Sequence, residues 1–263
     1  MTLAATYDPV LGRIRLAGTF LSPAVYAVFD RTVDGVRYTT VRGGARVDVS
    51  GQNANADDYE FPPGVPITYR LRAYSAADAL LATSTATITQ DLDRVWLKVP
   101  AAPVLNRPVI VVERSAVGRR ARRGVFDVPG RTLPVVVGDL ASGLEYTLQL
   151  LTATAAEERD VDYLFASGEI VLVQLPSTVE HFPGGYYSVG DVSRTPTTRL
   201  SARRIWEVPL TEAAAPGPEV VGSAYTIASM LAEYATVTAV IAGNATIADL
   251  LQRTGTPADV VVP

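Results

Sequence analysis

The chain has 263 residues, is 48% hydrophobic, and carries a formal net charge of −4 with a pI near 5.1. That length accommodates about two domains, and the acidic balance gives no bulk attraction to nucleic acid or to an anionic membrane surface. With no cysteine, a disulfide framework and a thiolate metal site are both excluded.

The opening Met1-Thr2-Leu3-Ala4-Ala5-Thr6-Tyr7 has no basic start, and no uninterrupted apolar run reaches membrane-spanning length. A soluble product made in the cytoplasm, with no membrane insertion, is expected. Of 23 basic residues only Lys98 is lysine. This arginine bias, in a background rich in alanine and valine, reflects a GC-rich genome and says little about mechanism.

Residues 1–92 read as short strands and turns. Leu11 to Ala17 alternates, with Ile14 and Leu16 opposite Arg13 and Arg15. Val25 to Arg31 is followed by Asp34-Gly35, a hairpin signal, and Val36 to Val41 returns. Pro62-Pro63-Gly64 is a turn. Ile67, Tyr69, Leu71 and Ala73 then alternate with Thr68, Arg70, Arg72 and Tyr74, and Leu80 to Ile88 closes the set. Strands at this spacing predict a β-sandwich.

The run Asp30-Arg31-Thr32-Val33-Asp34-Gly35-Val36-Arg37-Tyr38 and the run from Pro63 to Ala73 resemble the C/C′ and F regions of a fibronectin type III domain. The corner tyrosine of that family falls at Ile67, so its hydrogen bond is missing or supplied differently.

Residues 93–212 form a second β-rich unit. Strands are predicted at Val95 to Val99, Pro108 to Glu113, Gly124 to Val128, Leu133 to Val137, Tyr146 to Leu151, Glu169 to Leu175, Tyr186 to Val192 and Arg203 to Leu210. One helix interrupts them. Thr154 is its N-cap, Glu157 and Glu158 suit the positive first turn, Val161, Leu164 and Phe165 make an apolar stripe, and Gly168 stops it. A sandwich or barrel with one packed helix follows, and Trp96 and Trp206 are expected to be buried.

Residues 213–222, opening Ala213-Ala214-Ala215-Pro216-Gly217-Pro218, read as a linker. In residues 223–263 a ten-residue phrase recurs three times, led by Thr226, Thr236 and Thr246. Its apolar stripe advances faster than an α-helix turns, so short helices with threonine N-caps fit better than one straight helix. A β-solenoid coil is the competing reading. Units this short stack on one another, on the preceding domain or on another copy. Ile227, Met230, Leu231, Val237, Val240, Ile241, Ile247, Leu250 and Leu251 are therefore candidate assembly residues.

Chemistry-bearing motifs are sparse. His181 is the only histidine and lies in a loop signature, with no nucleophile elbow near it. Asn53-Ala54-Asn55-Ala56-Asp57-Asp58 groups oxygen donors but lacks the EF-hand pattern, and reads as a solvated loop. Glu157-Glu158 and Asp160-Val161-Asp162 lie along one helix rather than facing each other across a cleft. Arg114, Arg119, Arg120, Arg122 and Arg123 form the strongest charge cluster. Without interleaved aromatics it points away from nucleic acid, and Arg119, Arg120, Arg122 and Arg123 join the candidate assembly interface, pairing with acids such as Asp160 of a neighbouring subunit. No enzyme activity, cofactor or metal is expected.

Several phrases of the second unit, Asp93-Arg94-Val95-Trp96-Leu97-Lys98-Val99-Pro100, Leu105-Asn106-Arg107-Pro108-Val109, Arg123 to Arg131, and Tyr146 to Leu151 before the acidic helix, look like minor tail proteins of long-tailed phages that infect actinobacteria. The resemblance implies a distal-tail-like structural protein of the virion tail tip: a homo-oligomeric ring around the tail axis that joins the tail tube to other tail-tip proteins and the host-facing hub. The alternative is a pair of carbohydrate-binding modules contacting host surface glycans, with Tyr186 and Tyr187 as sugar platforms.

Overall fold

In a computed structural model the described residues are 1–217, apart from positions 20, 22, 50, 51, 128, 130, 131 and 200. The nine candidate assembly residues from Ile227 to Leu251, and the question of helical repeats or solenoid, lie outside them. The described residues pack as two compact units: unit 1 holds residues 1–108, 172–184 and 216–217, and unit 2 holds 109–171 and 185–215.

Unit 1 opens with eight strands, β1 (Thr2–Asp8), β2 (Arg13–Thr19), β3 (Tyr26–Thr32), β4 (Thr39–Thr40), β5 (Val47–Asp48), β6 (Ala54–Asp58), β7 (Pro66–Tyr74) and β8 (Leu80–Thr89). They make two sheets, β1-β2-β6 and β4-β3-β7-β8, with β5 also on β3. This is the two-sheet arrangement expected of a fibronectin type III-like sandwich. Alternation selects the core: Ile14 and Leu16, Ala27 and Phe29, and Ile67, Tyr69, Leu71 and Ala73 all point inward. The even-numbered partners on β7 stay half-exposed.

Three local expectations change. The return after Asp34-Gly35 is strand only at Thr39–Thr40, because the Asp34 carboxylate accepts from Val36 N (2.9 Å) and Arg37 N (2.8 Å) and holds the chain in a turn. The segment 53–58 is not a solvated loop: β6 pairs with β2 from Ile14↔Asp58 to Gly18↔Ala54. Its low strand propensity is overridden by ion pairs, Asp57 with Arg13 at 2.6 Å and Asp58 with Arg31 at 2.5 Å. β1 was not predicted, since Ala4 and Ala5 give a weak alternation, yet it pairs with β2 along its whole length.

At the corner position Ile67 is a core residue. The hydroxyl is supplied two residues on, where Tyr69 donates to Asp58 at 2.8 Å. Burial and then the Asp58 charge hold the Tyr69 phenol far above its ordinary pKa.

β9 (Val95–Lys98) belongs to unit 1 because its side chains are used there. Trp96 joins the sandwich core, and its ring lies so close to Gly12, which has φ +61°, that a Cβ there would sit 2.9 Å from it. Val99 N donates to the Asn106 side chain at 2.9 Å, a 3₁₀ turn at Pro103–Leu105 lying between them.

Unit 2 begins in β10 (Arg107–Arg114) and continues through β11 (Gly118–Arg119), β12 (Arg123–Phe126), β13 (Val135–Gly138), β14 (Leu144–Thr152) and helix α1 (Ala155–Ala166). β15 (Val171–Gln174) pairs with β9 in unit 1, and β16 (Gly185–Val189), β17 (Ser193–Pro196) and β18 (Arg204–Glu212) complete unit 2. β14 is central: β10 and then β11 lie along one side of it, and β18 along the other. β18 in turn carries β16 and then β17.

The helix forms where it was expected. Thr154 Oγ1 accepts from Glu157 N at 3.2 Å, Glu157 reaches back to Ala153 N at 2.6 Å, and Gly168 turns away with φ +68°. Val161 and Leu164 are buried, and the Phe165 ring tilts onto Trp206 with centroids 6.0 Å apart. Arg194 anchors the polar side through Glu158 (3.4 Å) and Asp162 (3.3 Å). The fold is thus mainly β, with a fibronectin III-like sandwich and a second β unit carrying one packed helix.

Candidate functional site

The feature of unit 2 that folding does not explain is the β12–β13 ribbon. Register sets Val125 opposite Val136, Phe126 opposite Val135 and Gly124 opposite Val137. Alternation then puts Val125 and Val136 on one face, and Phe126, Val135 and Val137 on the other. Both faces are apolar and both are exposed: Val125 and Val136 at 52% and 54%, Phe126 and Val137 at 58% and 60%. The Phe126 ring folds over Gly124, where a Cβ would meet it at 2.8 Å.

A two-stranded ribbon is marginal in water without a surface to lie on. Leu133 and Leu140 extend the exposed apolar area at either end. At the present exposures, full burial of these seven side chains gives a gross gain of about 6–12 kcal/mol.

The arginine cluster sits at the base of this ribbon. Arg119 reaches Glu212 at 3.4 Å and the Ser142 carbonyl at 3.1 Å, and Arg120 reaches Glu145 at 3.5 Å. Ser142 N donates to the Arg120 carbonyl and Asp139 N to the Arg122 carbonyl, so the ladder continues from β11 into the hairpin. Arg119 and Arg120 thus have acids of their own chain beside them. Arg122 and Arg123 project from the ribbon itself, exposed, with no acidic partner among the described residues.

The other candidates separate from this site. His181 is exposed beside Glu180, and no cluster of metal-ligating side chains occurs among the described residues. Glu158 is bound to Arg194 and Arg204. Tyr187, expected as a sugar platform, is buried, packed edge-on against Tyr146 with centroids 5.2 Å apart, and Tyr186 is half-buried. Among the described residues no helix is long and apolar enough to cross a membrane.

Sequence reasoning placed both strands of the hairpin, at Gly124 to Val128 and Leu133 to Val137, but did not single out their apolar residues. The signal was present, since Val135-Val136-Val137 is a continuous run rather than an alternating one, the pattern of a ribbon covered on two faces. No protein-family model matches the chain, and no curated protein matches it significantly. The fold and site define a mainly β, two-unit protein with an exposed apolar hairpin.

Proposed function

We propose that the chain is a structural, non-enzymatic component of a phage tail tip, assembling as a ring around the tail axis and joining the tail tube to the host-facing hub. The observation that carries the assembly reading is the hairpin. A ribbon apolar on one face is satisfied by one surface; a ribbon apolar on both needs two, and a ring offers each protomer two neighbours. Arg122 and Arg123 beside it supply charge for pairing with acids of the adjoining copy. The tail-tip assignment rests on the sequence phrases that look like actinobacteriophage minor tail proteins.

Electron microscopy and sedimentation of the purified protein test this. Rings or tube-end particles are expected for the wild type, and F126S/V136S, which removes apolar area from both faces, is expected to dissociate them while leaving the circular-dichroism spectrum unchanged. Intact rings in that variant would sink the role given to the hairpin.

A second reading keeps one observation. A groove of about 390 Å³ on unit 1 is lined by Arg31, Thr32, Val33, Asp34, Arg37, Thr39, Glu60 and Pro62; its surface is mostly apolar, as the face of a sugar ring requires, with polar groups such as Arg37 and Thr39 for the hydroxyls. Binding of host cell-wall polysaccharide that is lost in R37A would carry it.

A further inference from the structure

The two edges of the β4-β3-β7-β8 sheet are built differently. A sheet edge presents unpaired N–H and C=O groups that template pairing with another strand, and proteins blunt such edges with charge, brevity or cover. The β4 edge is blunted: its strand is two residues long, with Arg37 before it and Arg42 and Arg46 after it. Arg42 is itself engaged, donating to Glu60 at 2.7 Å and to the carbonyls of Pro216 and Gly217.

The β8 edge is neither short nor charged; β1 of the other sheet packs near it, and its ladder with β7 shifts register only at the first residues, between Ala73 and Tyr74. Its ten residues, Leu80 to Thr89, include no charge, no proline and no glycine. Among the described residues it pairs on one side only, with β7 from Pro66↔Thr89 to Tyr74↔Leu80. Thr83, Thr85, Thr87 and Thr89 form one exposed row, and Leu80 at the strand's start is 55% exposed.

We infer that β8 pairs antiparallel with β8 of a second copy of this chain. About a two-fold axis identical strands bring identical residues together, so a charge near the axis meets itself or its near neighbours, and like charges directly opposite are destabilising. A ten-residue strand without one charge satisfies that requirement, while the arginines around the opposite edge would oppose it. An axis perpendicular to the sheet keeps the faces in register: the threonine rows continue across the pair, as do Ala82, Ser84 and Ala86 on the other face. At about 3.4 Å per residue the shared ladder is roughly 30 Å long. This pairing does not depend on the tail-tip reading and uses a different unit from the hairpin.

The chain lacks cysteine, so single cysteines at positions 83, 84, 85, 86 and 87 in the full chain report the contact directly. A disulfide needs Cβ atoms about 3.5–4.5 Å apart, and in a symmetric antiparallel pair only one position lies opposite itself. Mild oxidation should therefore give a covalent dimer whose yield peaks at one position and falls away on both sides of it, since each step from the axis moves the two copies of a position about 6.8 Å further apart along the strands. T85K/T87K, on the exposed row, should fold normally and halve the sedimenting mass. F126S/V136S should leave the cross-link intact, which separates failure of the ring reading from failure of this one. Absence of a cross-link at all five positions, or an unchanged mass in T85K/T87K, overturns the pairing.

Discussion

Lys98, the only lysine of the chain, is fully buried in unit 1, and its removal has a pH-dependent consequence that can be worked out. Its ammonium donates to the carbonyls of Gly12 and of Tyr59, the latter at 2.9 Å, and lies 4.9 Å from the Phe61 ring and 5.6 Å from that of Trp96. Burial pushes its pKa down from 10.5 to about 7, with the charges of Asp58 and Glu60 opposing the shift. The unfolded chain therefore holds a proton that the folded chain has lost between about pH 7 and 10.5, and stability contributed by this site rises with pH across that window. Below the window both states are charged and the burial penalty is constant; above it both are neutral and the penalty is gone.

From pH 7 to 9.5 the site gives about 3 kcal/mol, at about 1.4 kcal/mol per pKa unit. Lys98→Met keeps the apolar stem and removes the titration. At pH 7 relief of the burial penalty offsets two carbonyls left without their donor, each costing about 1–3 kcal/mol, so the variant unfolds near the wild type. At pH 9.5 most of the burial penalty is gone from the wild type while the variant still lacks the hydrogen bonds, and the variant is weaker by about 3 kcal/mol more than at pH 7. Urea unfolding followed by tryptophan fluorescence at pH 7, 8.25 and 9.5 and constant ionic strength measures the difference, in which the other titrating groups cancel. Parallel wild-type and variant stabilities across that range would refute the reasoning.

Two further substitutions test the packing of each unit. Trp206→Ala deletes a buried indole that donates to Thr152 at 3.1 Å and meets Phe165 of the helix; a loss of about 3–5 kcal/mol is expected in thermal unfolding, and a change near zero would place the side chain outside the core. Asp58→Asn leaves the Arg31 guanidinium without its carboxylate and weakens the acceptor for the Tyr69 hydroxyl. Breaking such a buried pair costs about 3–5 kcal/mol, and urea midpoints unchanged from the wild type would show that the ion pair is solvent-screened.

The sequence by itself determined the elements whose signals are local. Alternation from Ile67 to Ala73 depends only on the pleat, and the helix from Ala155 to Ala166 follows from the Thr154 cap, its acidic first turn and the Gly168 stop, all within one stretch of chain. Burial of Trp206 was legible for the same reason, since β18 alternates; Trp96 is buried as expected, but in β9, where all four residues are buried and the alternation read from the sequence does not hold. Tertiary structure decided what depends on partners distant in sequence. Asn55, Asp57 and Asp58 occupy a strand because β2, Arg13 and Arg31 lie beside it, and Tyr187 is lost as a platform because β14 brings Tyr146 against it. Whether an apolar residue is core or surface is likewise a question of what covers it. The valines of β13 and the inward leucines of β14 share a chemistry; only the fold shows the first exposed and the second buried.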